Sequence, residues 1–214
     1  MDNDIKNRKI TRKVDGHKEE ETWRANNKLA HAKYKIQVDE KIAYLLTKPV
    51  TYKTDGADKN DTYVEKVKDV LGKHFQYQLT QLGYEASNKG IGWLHVYLDP
   101  KGKLKTIMIP AEQCIPYWSD RSHTELDAMI RVYNTTVWQY NQEKEITNVE
   151  IWTKDGVKYY RLEGQMLVYD NDKSMDAGGP VAHYKSVEEW ETWGKVPFIP
   201  FKNNQIEMPD IKFV

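Results

Sequence analysis

The chain has 214 residues, enough to bury about 70% of its unfolded surface in one sizeable domain, or in a domain with an appended helical arm. Its 32 Lys and Arg balance 32 Asp and Glu, which excludes an overall basic field for non-specific nucleic-acid binding; any DNA contact needs a local patch. The single cysteine, Cys114, excludes an intramolecular disulfide, and no run of about 18 apolar residues or N-terminal apolar core marks a membrane span or signal peptide, so a soluble protein of a reducing compartment is expected.

In chain order, Ile5 to Val14 carries five basic side chains and no acid, followed by Glu19-Glu20-Glu21; residues 1–17 are expected to form a flexible basic arm, a solvated terminus unless a partner docks on it. From Lys18 to Thr47 the apolar residues recur at helical spacing in two stripes. Leu29, Ala32, Ile36, Ala43 and Leu46 form one, Tyr34, Val38, Ile42 and Leu45 the other, and together they make a face wider than one neighbour needs. Lys48-Pro49 ends that helix, because the residue before proline avoids the helical region. Thr54 to Asn60 has loop composition. Asp61 is placed to cap a helix with a face of Val64, Val67 and Leu71, and Gly72 breaks it before Phe75.

Phe75, Leu79, Leu82 and Ala86 repeat the helical period until Asn88-Lys89-Gly90. The period then becomes two: Trp93, His95 and Tyr97 fall on one side of a strand, Leu94, Val96 and Leu98 on the other. Asp99-Pro100-Lys101-Gly102 turns the chain, and Leu104 to Ile109 returns it as the second strand of a hairpin. After Ala111 to Pro116 and a polar turn at 117–121, strands are expected at Leu126–Tyr133, Val137–Tyr140, Asn148–Thr153 and Val157–Leu162, with an edge at Met166–Tyr169. Lys154-Asp155-Gly156 is the sharpest hairpin signal and predicts a two-residue type I′ turn with positive φ at the glycine. Asp170 to Lys185 reads as an exposed loop, Trp190 and Trp193 as an aromatic face on a short helical turn, and Val196 to Phe201 as extended by its prolines. The expectation is therefore an α+β fold, helical over 18–88, mainly β over 91–169 as an antiparallel meander on which the N-terminal helices pack, with a loop and extended tail over 170–214.

Three of these stretches also occur, in the same order, in a known family. The helix ending in EASNKG, the strand GWLHVYLD, the turn PKGK and a strand closing in IP, together with NNKLAHAKYKIQVDEKIAYLLTKPVTY (26–52) and GKVPFIPFKNN (194–204), resemble the SPP1-type portal proteins of tailed bacteriophages. The resemblance covers roughly Trp23 onward. It implies the wing-region part of a structural ring subunit at one capsid vertex. By the same resemblance its partners are other portal subunits, terminase, scaffolding and head-completion proteins, and double-stranded DNA passing through the channel. It implies location in the virion and, during assembly, the host cytoplasm, and a chain lacking the stem helices, clip and crown that family members carry.

No catalytic constellation stands against that expectation. Phosphate-loop, dinucleotide and nucleophile-elbow motifs are missing, and the histidines at 17, 31, 74, 95, 123 and 183 never fall four apart. Asp170, Asp172, Ser174 and Asp176 imitate early calcium-loop ligands, but Met175 stands at the glycine position and Val181 at the bidentate carboxylate. Cys114 reads as a buried small hydrophobe rather than a nucleophile, and Asn60-Asp61-Thr62 and Asn134-Thr135-Thr136 as chance glycosylation matches. No catalytic residue, metal ligand or cofactor is expected, and no DNA-contacting residue is named. The competing class is a non-enzymatic nucleic-acid- or protein-binding module with an aromatic-rich sheet, which a clustered basic face beside exposed aromatics would favour.

Overall fold

The computed structural model describes residues 7–26, 31–53, 61–139, 142–174, 179–186 and 189–213. It is an α+β fold in three layers: helices, a three-stranded antiparallel sheet, and a five-stranded antiparallel meander. The helices are α1 (Lys33–Leu46), α2 (Asp61–Leu71), α3 (Phe75–Lys89) and the one-turn α4 (Asn171–Ser174).

The strand β3 (Ile91–Leu98) lies at the centre of the first sheet, between β4 (Leu104–Ile109) and β12 (Phe198–Lys202). The α3–β3 connection is a single residue, Gly90, at φ 93°, whose N–H closes the last helical turn on the Ala86 carbonyl at 2.7 Å. The helix therefore folds straight back onto the sheet that it feeds. Leu82 and Ala86 are buried in that interface, and Gly92 lets the Leu82 turn approach β3 closely. Gln78 both donates to the Thr106 carbonyl (2.8 Å) and accepts from its hydroxyl (2.8 Å), tying α3 to β4. The α1 helix crosses α3 at Gly83, where a Cβ would press on Leu46 and Ile42.

The meander runs β5 (Cys114–Trp118), β6 (Leu126–Gln139), β7 (Gln142–Thr153), β8 (Gly156–Glu163), β9 (Met166–Tyr169), each paired antiparallel with the next. Met129, Trp152 and Val157 of this sheet meet Trp93, Ile109, Val196 and Phe198 in the main core. Rings from both sheets make contact there: His95 with Trp152 at 4.8 Å, Trp152 with Phe198 at 5.6 Å and Trp93 with Trp118 at 5.9 Å between centroids.

Several expectations are corrected. The helix expected from Lys18 begins only at Lys33, because residues 11–20 pair as a hairpin, β1 (Thr11–Val14) with β2 (His17–Glu20), around Asp15-Gly16, both at positive φ. That is the turn chemistry of a tight hairpin. Of the two stripes on α1 only Val38 and Ile42 are buried; Ile36 and Leu45 remain exposed, and Leu29 lies outside the described residues. The expected strands 126–133 and 137–140 are one continuous β6, since Asn134-Thr135-Thr136 keeps its ladder with β7. Cys114–Trp118 is a strand that the polar turn after it obscured. The 198–202 segment, with Pro200 in it, joins the first sheet as an edge, where a missing N–H is tolerated. Trp190 sits on a two-residue ladder, β10 (Tyr184–Lys185) with β11 (Trp190–Glu191), rather than on a helical turn. The 54–60 loop, Asn60 and Asp176 fall outside the described residues.

At the β7–β8 turn the loop residues are Lys154 and Asp155, and Gly156 opens the strand paired with Thr153. Its φ is +143°, the positive value expected, but neither loop residue has positive φ, so the turn is not type I′. A Cβ on Gly156 would collide with the Val181 carbonyl oxygen, which accepts the Val157 N–H at 2.8 Å. Gly156→Val is expected to lower stability by at least about 1 kcal/mol, combining backbone strain with that clash. An unchanged urea midpoint would contradict it.

Candidate functional site

Alternation along the meander sorts its core-facing side into rows. Beyond the apolar row of Met129, Trp152 and Val157 comes Cys114–Arg131–Glu150–Tyr159, then Tyr133–Asn148–Arg161. These rows carry a buried polar network. The buried Glu150 carboxylate accepts from the Tyr133 hydroxyl (2.7 Å) and the Trp152 indole N–H (3.1 Å), with an Arg131 guanidinium nitrogen at 3.6 Å. Arg131 also donates twice to Gln113 Oε1 (3.2 Å) and lies over the Tyr133 ring at 4.2 Å. The Lys173 ammonium donates to the Tyr133 oxygen and to Asn148 Oδ1, both at 3.3 Å. Burial and the neighbouring Glu150 carboxylate push both phenols up, Tyr159 to about 12. They hold their protons at neutral pH, and the network is a partnered structural one.

Two of the calcium-like residues, Asp170 and Asp172, are engaged by an arginine in the same region. Asp170 is buried and takes two bonds from Arg161, Nε to Oδ2 at 3.0 Å and Nη2 to Oδ1 at 2.9 Å, while Asp172 takes a third at 3.1 Å. A guanidinium thus lies between the two carboxylates, where a cation would have to sit, and Val181 is held in a bridge to Val157. No group of three or more His, Cys, Asp or Glu side chains converges among the described residues. The Cys114 thiol packs against the core, and burial raises it to about 12, far from a thiolate at neutral pH.

The histidines are scattered. His17 and His31 are exposed and His74 precedes α3. His95 is buried, its Nδ1 at 3.1 Å from the Pro197 carbonyl, and desolvation lowers it to about 4. His183 Nδ1 accepts the Trp193 N–H at 3.1 Å. His123 belongs to a clasp that sequence spacing did not reveal. Its ring stacks on Trp118 (5.0 Å, 7°) and bonds Glu207 at 2.9 Å; Lys202 joins the same Glu207 oxygen (2.9 Å), donates to the His123 carbonyl (2.8 Å) and lies over Trp118. Burial works against the Glu207 charge, but those bonds outweigh it and hold the carboxyl below its usual range. Both His123 and Glu207 take φ of 54°, a strained value for non-glycine residues that the clasp maintains.

Two exposed surfaces complete the geometry. Beyond Arg131 and Thr147, β6 and β7 pair only with each other, as a two-stranded arm with Trp138 exposed near its end. On the first sheet, Tyr97 and Ile107 continue the core-facing side past the cover of the meander, beside exposed Lys101, Lys103 and Lys105. No helix among the described residues is long and apolar enough to cross a membrane.

Since His95 titrates at 6.5 when unfolded and at about 4 when buried, the unfolded state binds more protons between those values. Its contribution is intact above pH 6.5 and is lost as pH falls toward 4, by about 3 kcal/mol in all. His95→Gln should flatten the stability profile over that window in urea titrations; identical slopes would contradict the assignment.

The comparisons with known proteins bear on the whole chain. A family model described as "Phage portal protein, SPP1 Gp6-like" matches residues 1–214. The chain is 31% identical over 214 residues to the portal protein of Bacillus phage SPP1, covering 99% of this chain and 41% of that protein. It is 30% identical over 197 residues to the portal protein of Clostridium phage phiCD119, covering 87% of this chain and 40% of that one. The chain therefore spans about two fifths of the length of these relatives.

Proposed function

Since the chain belongs to the SPP1 Gp6-like family of phage portal proteins, we propose that it supplies the N-terminal, wing-region part of a portal subunit with a structural, non-enzymatic role. In this reading the subunit is one of a ring at the capsid vertex, the head–tail connector through which DNA is packaged and leaves. Its neighbours are other portal subunits, terminase, scaffolding and head-completion proteins, and the double-stranded DNA in the channel. The ring acts in the virion and forms in the host cytoplasm.

The observation that carries this reading is the family match across all 214 residues. The chemistry agrees with it. The buried Glu150 and Asp170 are each held by an arginine from a neighbouring strand, so their polarity braces the sheet instead of facing a substrate. A ring needs subunits that meet through unlike surfaces and keep their shape under load, and a three-layer body with a shared core provides such a block.

Electron microscopy of a polypeptide in which this chain is followed by the remainder of a portal protein is expected to show closed rings with a central channel. Monomers at every concentration, or open filaments, would overturn the reading. By itself, the 214-residue chain is expected to scatter light as a monomer or weak associate at physiological salt. Exposed charge pairs contribute only about 0 to 1 kcal/mol each, against an association cost of about 4 to 15 kcal/mol. A discrete ring of ten or more copies (~10 as a threshold) from the chain alone would contradict that expectation.

A further inference from the structure

Two exposed surfaces on opposite sheets have complementary chemistry, and neither is covered within a single copy. The first is one face of the β6–β7 arm. Register places Trp138 opposite Glu143 and Thr136 opposite Glu145, so both carboxylates and the indole share a face. Lys144 points to the other face with Val137, and the shared face has no cation. Trp138 is 74% exposed, and the Glu143 and Glu145 residues are exposed. Along β6, Trp138 lies about 30 Å from the buried Met129, and the two-stranded part of the arm starts past the Asn134–Thr147 pair. Two-stranded ribbons are marginal in water without a surface to pack on.

The second surface is the uncovered end of the three-stranded sheet. Tyr97 lies opposite Lys105 and His95 opposite Ile107, with Lys103 and Lys101 following through the turn. Tyr97 is 37% and Ile107 46% exposed. The only carboxylate between Tyr97 and Ile107 is Asp99, which is occupied in capping its own turn, accepting the Lys101 and Lys103 N–H groups at 2.9 Å each.

We propose that the arm of one copy docks on this patch of a second copy of the chain, Trp138 against Tyr97 and Ile107, Glu143 and Glu145 against Lys103 and Lys105. The spacings correspond. Glu143 and Glu145 stand two residues apart on β7, about 7 Å, and Lys105 on β4 is likewise two residues from Lys103, which lies at the end of the turn just before β4. The Trp138–Glu143 cross-strand pair is matched by Tyr97–Lys105. An aromatic anchor ringed by opposite charges has the make-up of an interface hot spot, and Trp138 can also take a lysine ammonium on its ring face. The contact joins unlike surfaces, so it is heterologous and repeats from copy to copy. It rests on the ring reading above and names the surfaces that meet. Nucleic acid fits the patch less well, because three lysines offer few phosphate contacts and the Trp138 face of the arm supplies no cation.

The test mixes two single-cysteine variants built on Cys114→Ser, one with Thr136→Cys and one with Ile107→Cys, under mild oxidation, and measures the mixed disulfide dimer alongside light scattering. A mixed dimer is expected, in excess over either like pair. Glu143→Lys with Glu145→Lys in the arm-bearing partner should cut its yield by about fivefold or more, the size expected from losing two ion pairs. Lys103→Glu with Lys105→Glu in the other partner should restore it. Absence of the mixed dimer, or a yield indifferent to reversal, overturns the proposal. If copies associate by light scattering in that case, the ring reading survives and only the arm is wrong. Loss of the dimer on adding a single-stranded oligonucleotide, without loss on arm charge reversal, would assign the patch to nucleic acid instead.

Discussion

Trp93 has no exposed surface, although it sits on a strand with neighbours on every side, and the rest of the fold follows from keeping it so. Its strand, β3, is covered by α3 on one face and by the meander on the other, and is paired with β4 and β12 along its edges. A strand buried on both faces must be apolar on both, which accounts for the run of Trp93, Leu94, His95 and Val96 without a charged residue. The one polar member, His95, is tolerated because it is neutral and bonded to the Pro197 carbonyl.

The same constraint explains where the charges went. The apolar row of the meander, Met129, Trp152 and Val157, packs against Trp93 and its neighbours. Arg131, Glu150 and Arg161 follow in the next rows of that side, with Asp170 just past β9, and each acid is held by an arginine of an adjacent strand. Burying such pairs contributes little net stability, but removing one partner leaves the other uncompensated. The arrangement therefore favours a fixed shape over a reactive one.

Legibility in the sequence followed locality. The segment from Phe75 to Ile109 was readable because helix, stop, strand, turn and strand are consecutive, each with its own period or punctuation. The meander hairpin at 148–162 was readable for the same reason. What escaped were pairings that join distant residues: Pro200 to Trp93 across the sheet, and Glu207 to His123 in the clasp. Pro116 and Pro200 both lie on edge strands, where proline is tolerated; the second segment was legible as extended but not as a sheet edge. The N-terminal hairpin escaped because β2, His-Lys-Glu-Glu, buries nothing, and only Asp15-Gly16 marked it. The buried networks had no signature in spacing at all, because their members come from separate strands.

The central claim is that the helical layer and both sheets form one cooperative body through β3. Native-state hydrogen exchange at pH 7 tests it directly. The account predicts that amides of α3, β3 and β7 open with the same, highest free energy, shifting together with added denaturant. Loss of protection in α3 and β3 through a separate, lower-energy opening while β7 stays protected would show that the layers merely touch, and would contradict the account.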